Sequence, residues 1–212
     1  MQKMRFLCAL IIFLPISPSL SQSLQLGVGG GAVIGVSPHY LVQEISEGGF
    51  GMRLSYAAAG AIKFAPQKLP IVFAAHFSYA FMRGHGYNNS PIGLNSGDVK
   101  TKANLFSLDL GAELPLSTHA PSPYVGLYAL LSSTSLLTYT ITSADYGRFE
   151  YIDPPKTRVG VGIGGGVQFN LFRRLDLDLA AKLKFRTLFG KQADELNFNS
   201  IDVSASILFD TL

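Results

Sequence analysis

Apolar and polar residues alternate with a period of two in the clearest segment of the chain, residues 175–185. Leucine, alanine or phenylalanine occupies each odd position there, and aspartate, alanine or lysine occupies each even position. Successive side chains of a β-strand point to opposite faces, so this pattern predicts a strand with one apolar face. Similar alternation, ambiguous in phase only for the fifth segment, predicts eight strands at residues 24–37, 50–64, 71–82, 105–114, 124–131, 157–169, 175–185 and 198–209.

The two faces of these strands differ in a way that favours a membrane barrel. One face carries Leu, Val, Ile and Phe, and the other carries Gly, Ala, Ser and a few charges, whereas a soluble barrel exposes long charged side chains. Charged residues make up 15% of the chain, below the roughly 25% of soluble domains. We therefore predict an all-β fold, an eight-stranded antiparallel up-and-down transmembrane β-barrel. The alternative, a soluble secreted barrel of lipocalin type, requires the apolar face to point inward.

The connections between the predicted strands alternate in length. Long ones are residues 38–49, 83–102, 132–156 and 190–197, and short ones are residues 65–70, 115–123 and 170–174. Outer-membrane barrels have long extracellular loops and short periplasmic turns. We therefore expect periplasmic chain ends, a first strand that runs outward, and any extracellular ligand at loops 38–49, 83–102 and 132–156.

Aromatic residues near the predicted strand ends fit the interfacial girdles of membrane barrels, although each is explained equally well as an ordinary apolar strand residue. They are Phe50, Phe64, Tyr124, Phe169, Phe189 and Phe198.

The first 21 residues have the features of a secretory signal peptide. Lys3 and Arg5 precede an apolar run at residues 6–14, and Ser19 and Ser21 lie three and one residues before a cleavage point. The run is too short for a membrane helix, which needs about 20 residues. We predict a signal peptide at residues 1–21 and one barrel domain at residues 22–212.

The signal peptide also changes the cysteine and charge counts. Cys8 is the only cysteine and lies within it, so the mature chain has no disulfide. Removal of Lys3 and Arg5 lowers the basic residues from 17 to 15, against 14 acidic ones. The near-neutral mature chain predicts no nucleic-acid partner.

The inward-facing positions carry charges of balanced sign. They are Arg53, Lys63, Lys182, Lys184 and Arg186 against Asp109, Glu113, Asp176, Asp178 and Asp202. The interior of an eight-stranded barrel is just wide enough to be filled by side chains, and buried charges must be paired to offset their desolvation. We therefore predict a salt-bridged plug, with a narrow or gated polar channel as the alternative.

The predicted signal peptide, the eight strands, the glycine-alternating residues 159–166 and the terminal strand at residues 201–212 together resemble the OmpA transmembrane domain and the OmpX-like and OmpW-like proteins. The resemblance covers residues 24–212. It implies a Gram-negative outer-membrane location, contact with outer-membrane lipid and lipopolysaccharide, and recognition by the barrel-assembly machinery of the last strand, where Phe209 lies near the end. An OmpW-like role implies a conduit for small molecules.

Two motifs are similar to a catalytic pair and to a nucleotide-binding motif, but we expect neither function. His76 and Ser78 are similar to the His and Ser of lipid A deacylase barrels, with Glu113 as the candidate acid. Both are predicted to point inward, away from a lipid substrate, so we interpret them as interior filling and expect no enzyme. Gly160, Gly162 and Gly165 match G-x-G-x-x-G, but more strand follows where a nucleotide site needs a helix. No cofactor or metal is expected.

Overall fold

A computed structural model describes residues 23–67, 69–88, 97–143, 147–189 and 197–211. It is built from antiparallel strands, with a short helix α1 (His39–Val42) and a 3-10 turn (Ile45–Glu47) after the first of them. Neither helical segment in these ranges has the length and apolar character of a membrane-spanning helix. The strands are β1 (Ser23–Ser37), β2 (Leu54–Ala65), β3 (Val72–Asn88), β4 (Gly97–Pro115), β5 (Ser122–Thr134), β6 (Leu137–Ser143), β7 (Gly147–Asp153), β8 (Lys156–Phe172), β9 (Leu175–Phe189) and β10 (Asn199–Asp210).

Eight of these strands close into a ring. Sequence neighbours pair from β1 to β4, β4 pairs with β5, β5 with β8, β8 with β9 and β9 with β10, and the pairing of β1 with β10 completes the circle. The predicted eight-stranded barrel is therefore confirmed. The predicted signal peptide and residues 190–196 lie outside the described residues, and the domain boundary at residue 21 stays a prediction.

The alternating faces separate lipid from lumen. On β9, Leu179 is 42% exposed on the outside, whereas Asp178 and Lys182 are buried inside. Strand β5, whose phase was ambiguous, turns Val125 and Leu127 outward. The apolar face thus points out of the barrel. The alternative prediction, a soluble barrel with the apolar face inside, is wrong.

The barrel has two ends. We call the end with the β2–β3, β4–β5 and β8–β9 connections the short-turn end, and the other the long-loop end. Both described chain termini, Ser23 and Thr211, lie at the short-turn end. With the usual asymmetry of such barrels, the long-loop end faces the cell exterior.

Two predicted loops are largely strand. Strands β3 and β4 continue into residues 83–102 and pair there up to Asn88 and Gly97. Residues 132–156 contain the β6–β7 hairpin, which pairs with residues 98–102 of β4 and extends the sheet beyond the ring. These strands were missed because their apolar residues do not face outward. In β6, Tyr139 and Ile141 pack inward against a buried cluster, while Thr138, Thr140 and Thr142 lie on the other face, beside the charges of β3 and β4.

The predicted loop at residues 38–49 also has structure. Helix α1 and the 3-10 turn fold against the sheet, where Ile45 is buried. Strand β2 begins at Leu54 and not at residue 50, because the chain bends at Gly51, whose φ of 65° lies in the left-handed region.

Three residues predicted for the aromatic girdles lie elsewhere. Tyr124 is 5% exposed and Phe198 is 8% exposed, and both point into the lumen. Phe50 packs against the rings of Tyr40 and Tyr139. Phe169 and Phe189 are exposed on the outer surface, as a girdle requires.

The lipid-facing assignment can be tested at Leu179, near the middle of the outward apolar row at residues 175–185 of β9. Replacement by arginine should destabilise the barrel in a bilayer by about 2–4 kcal/mol, because a charge near the bilayer midplane loses its hydration. The control is Phe189→Arg at the end of the same strand, with an expected cost of about 0–1 kcal/mol. Urea titration of each variant folded in lipid vesicles measures the difference. Equal costs at both positions would contradict the assignment.

Candidate functional site: the filled lumen

Glycines on one wall of the lumen leave room for long charged side chains on the other. Strand β8 turns Gly160, Gly162, Gly164 and Gly166 inward, and more strand follows them, with no helix. At Gly164 an added Cβ would lie 2.5 Å from the backbone oxygen of Ala181 and 2.7 Å from Cγ of Lys182, both on the neighbouring strand. Only glycine therefore fits at this position beside Lys182. The row of inward glycines on β8 allows close packing of the neighbouring strand and its side chains.

Arg186 lies at the centre of the first charged cluster. Its side chain is fully buried, and Nη2 donates to both carboxylate oxygens of Asp202, at 2.9 and 2.7 Å. Its other donors reach three serine hydroxyls: Nε reaches Ser200 at 2.9 Å, and Nη1 reaches Ser107 at 3.0 Å and Ser132 at 3.1 Å. Strands β9, β10, β4 and β5 thus meet at one guanidinium, whose fork geometry suits this arrangement.

An irregularity in the sheet positions this arginine. The register of β8 with β9 shifts between Val159 and Val161, and both Arg186 and its neighbour Thr187 are buried as a result. Thr187 accepts a hydrogen bond from the backbone N–H of Phe198 at 2.7 Å. The bulge therefore turns two successive side chains inward, which regular alternation does not allow.

Lysines on β9 continue the network. Nζ of Lys184 lies 2.7 Å from Oδ2 of Asp109 and 2.8 Å from Oδ2 of Asp202. Nζ of Lys182 lies 3.5 Å from Oδ2 of Asp109 and 4.0 Å from the centre of the Tyr128 ring. Asp109 also accepts a hydrogen bond from Ser107 at 2.8 Å.

The second cluster surrounds Lys63, nearer the short-turn end. Its Nζ lies 2.8 Å from Oε2 of Glu113 and 3.0 Å from Oδ2 of Asp178. The hydroxyls of Tyr128 and Tyr124 donate to these carboxylates, each at 2.9 Å. One buried ammonium therefore pairs with two carboxylates, each of which also accepts a hydrogen bond from a tyrosine.

Two of the ten predicted charges are placed differently. Arg53 is exposed, because the bend at Gly51 breaks the alternation and turns Met52 inward in its place, so its prediction as an interior charge is wrong. Asp176 is half-buried and is held by the side-chain amides of Gln25 and Gln168 at 2.9 and 2.7 Å. The other eight predicted residues, Lys63, Asp109, Glu113, Asp178, Lys182, Lys184, Arg186 and Asp202, form the two clusters described above.

The tyrosines and serines of the network were not predicted. Tyr124 and Tyr128 were missed because the phase of the fifth strand was ambiguous, although outward Val125 and Leu127 place them inward. Serines carry no charge and were interpreted only as small filling.

An apolar layer fills much of the lumen above Arg186, at the long-loop end, and with Arg186 it lines a cavity of about 100 Å³. Its buried side chains lie directly beneath Leu41 of α1 and Phe50. The ring of Phe198 lies 5.7 Å from the Arg186 guanidinium and marks the boundary between the two layers. The members of this apolar layer are Val33, Met52, Ala80, Met82, Ala103, Leu105 and Phe198.

His76 and Ser78 face the lumen, not the lipid. Nε2 of His76 lies 2.9 Å from Oε1 of Glu113, so the acid does reach the imidazole. Ser78 and His76 line a cavity of about 40 Å³ together with Asp109. A lipid acyl chain on the outer surface has no contact with these groups. Among the described residues, no group of three or more His, Cys, Asp or Glu side chains is arranged to hold a metal ion.

A closed eight-stranded ring with an apolar exterior and a charged interior defines an integral membrane β-barrel. The model of the outer membrane protein beta-barrel domain matches residues 6–209. The chain belongs to that family, and its location is the bacterial outer membrane. The predicted resemblance to small outer-membrane barrels is confirmed.

Solved structures of outer-membrane proteins are similar to this chain at low sequence identity. A major outer membrane protein from Thermus thermophilus is 13% identical, with a TM-score of 0.50 over 88% of this chain and 99% of that one. Neisserial surface protein A is 17% identical, with a TM-score of 0.45 over 89% and 96%. Ail of Yersinia pestis, in complex with a heparin analogue, is 13% identical, with a TM-score of 0.42 over 89% and 97%. No curated protein matches the sequence.

The Arg186 cluster can be tested with a matched pair of arginines. Arg186→Met should lower the free energy of unfolding by about 3–5 kcal/mol, because it removes the bidentate partner of Asp202 and three serine contacts. Arg53→Met, at an exposed position, should change it by no more than about 0.5 kcal/mol. Urea unfolding in detergent micelles measures both values, and similar losses for the two variants would contradict the described placement.

Proposed function

We propose that the protein is a sealed, non-enzymatic barrel of the outer membrane with a structural or surface-interaction role. The observation that carries this proposal is the apolar layer above Arg186. Ions that traverse a hydrophobic constriction lose their hydration without a polar replacement. The ion-paired clusters below add a second layer of filling.

The surface role is assigned to the extended sheet at the long-loop end. Of the three loops predicted to meet a ligand, residues 38–49 fold down over the lumen, whereas residues 83–102 and 132–156 supply the strands that project beyond the ring. Strand β7 exposes Phe149, Tyr151 and Ile152 there. These side chains supply aromatic contact area for an external partner.

Biogenesis is proposed to follow the usual route for such barrels. Strand β10 is amphipathic, with Ser200 and Ser206 buried on its inner face and Phe209 exposed toward lipid near its end. This supports recognition of the last strand by the barrel-assembly machinery. Lipid and lipopolysaccharide are then the surroundings of the outer surface, and no cofactor or nucleic acid is proposed.

A narrow channel of OmpW type is the second candidate. The observation that favours it is a cavity of about 140 Å³ at the short-turn end, lined by Gln25, Lys63, Glu113 and Gln168. A second cavity of about 40 Å³ lies further along beside Asp109 and Lys184. A channel requires these cavities to join across the charged clusters and through the apolar layer.

Single-channel recording in planar bilayers distinguishes the two candidates. We expect the wild-type protein and Lys184→Ala to give background conductance, because the apolar layer remains in both. A variant that empties this layer, Met52→Ala with Leu105→Ala, serves as the comparison for a less occluded lumen. Wild-type conductance steps that change in Lys184→Ala would contradict the sealed barrel and support the channel.

The absence of enzyme activity is tested on lipid A. We expect no deacylation by the folded wild-type protein, because His76 and Ser78 face the lumen while acyl chains contact the outer surface. Mass spectrometry of extracted lipid A measures the product. Deacylation by the wild type that is lost in Ser78→Ala would contradict a non-enzymatic barrel and support the deacylase alternative.

A further inference from the structure

The lipid-facing surface ends abruptly on strands β3 and β4 at the long-loop end. Tyr79 and Phe81 are exposed on β3, with ring centres 5.1 Å apart in an edge-to-face arrangement. The next outward residues are Arg83 and His85. Aromatic residues mark the membrane interfaces of barrels, so the cations begin where the lipid headgroups lie.

Cations from three strands gather on this outer surface. Arg83 of β3 is directly opposite Lys102 of β4, and His85 is opposite Lys100. Strand β7 adds Arg148 on the same side. We call this surface the cationic rim, defined by the cations Arg83, Lys100, Lys102 and Arg148 with the imidazole of His85 among them.

The rim has a net positive charge. Nζ of Lys100 lies 3.3 Å from Oδ2 of Asp98, and Nη2 of Arg148 lies 3.5 Å from Oε2 of Glu150. Asp98 also lies 2.9 Å from the ring of His85. In the described part of the chain, no carboxylate forms an ion pair with Arg83 or Lys102. Within that part, the two cations nearest the lipid boundary are thus the ones without a protein counterion.

The cationic rim also lines a groove. Its side chains line a groove of about 610 Å³ together with Thr138, Thr140 and Thr142 of β6. Threonine hydroxyls and the cations are all hydrogen-bond donors. Arg83 is fixed at the lipid boundary, because Nη1 donates to the carbonyl oxygens of Met82 and Ala103, both at 2.7 Å.

We propose that the cationic rim binds the phosphate groups of the phosphorylated glycolipid of the outer leaflet, lipopolysaccharide. Arginine and lysine form strong charge-assisted hydrogen bonds with phosphate. Arg83, which lines the groove, is two residues from the exposed Phe81 on the same face of β3. A lipid headgroup is favoured over a free anion because the aromatic boundary holds acyl chains directly beside the cations. This inference needs the outer-membrane location and the outward long-loop end, but not a sealed lumen.

The test compares two pairs of cations at opposite ends of the barrel. Arg83→Gln with Lys102→Gln removes the unpaired cations of the rim, and Arg173→Gln with Arg174→Gln removes two exposed cations at the short-turn end. Each folded protein is titrated with bisphosphorylated lipid A in mixed micelles, and bound lipid is counted by native mass spectrometry. We expect the rim variant to bind at least about fivefold more weakly than the wild type and the control.

Additional measurements identify the ligand and show whether each variant is folded. Dephosphorylated lipid A should bind the wild type as weakly as bisphosphorylated lipid A binds the rim variant. Equal binding by wild type and rim variant, or binding independent of phosphate, overturns the proposal. So does competition by inorganic phosphate at the same concentration as the lipid, which would indicate a free-anion site. Heat-modifiable gel migration verifies folding, and Lys102→Glu alone replaces the double variant if the latter does not fold.

Discussion

Hydrocarbon offers no hydrogen bonds, so every backbone N–H and C=O group of a membrane-spanning strand must be paired within the protein. This constraint requires the sheet to close, and the pairing of β1 with β10 satisfies it. Closure in turn leaves only two environments for side chains. Apolar residues face lipid, and whatever is polar must fit into a lumen with room for little but side chains.

Two kinds of side chain fill the lumen: paired charges and an apolar layer. Buried charges are tolerated because each has partners: Arg186 with Asp202 and three serines, and Lys63 with two carboxylates and their tyrosines. The apolar layer at the long-loop end needs no partners and is closed by α1. Charge pairing thus fixes the middle of the barrel, while apolar packing fills its outer end.

The sequence predicts the eight strands of the ring, the face on which each side chain lies and most of the lumen charges. It does so because alternate residues of a strand point to opposite faces, so a period-two pattern shows which residues point inward. The prediction failed where backbone geometry departs from that period. At Gly51 a bend exposes Arg53 and buries Met52, and neither residue type signals it. In β6 the apolar residues Tyr139 and Ile141 face inward and the threonines face outward, the reverse of the lipid-spanning strands, so an outward apolar face does not mark this strand. The cationic rim was hidden for the same reason, since its residues were assigned to loops.

The pairing of β1 with β10 joins residues from opposite ends of the chain, as in Gln25 with Asp210. Contacts of such long range form late in folding because the loop-closure entropy must be overcome first. Asp202 of β10, Lys184 of β9 and Asp109 of β4 meet across the lumen, which exists as an enclosed space only once the ring is shut. The charges are therefore hydrated in the open sheet and lose that water at closure. Closure and charge neutralisation are one cooperative event, so a mispaired charge would act as a barrier to barrel completion as well as a defect in the finished barrel.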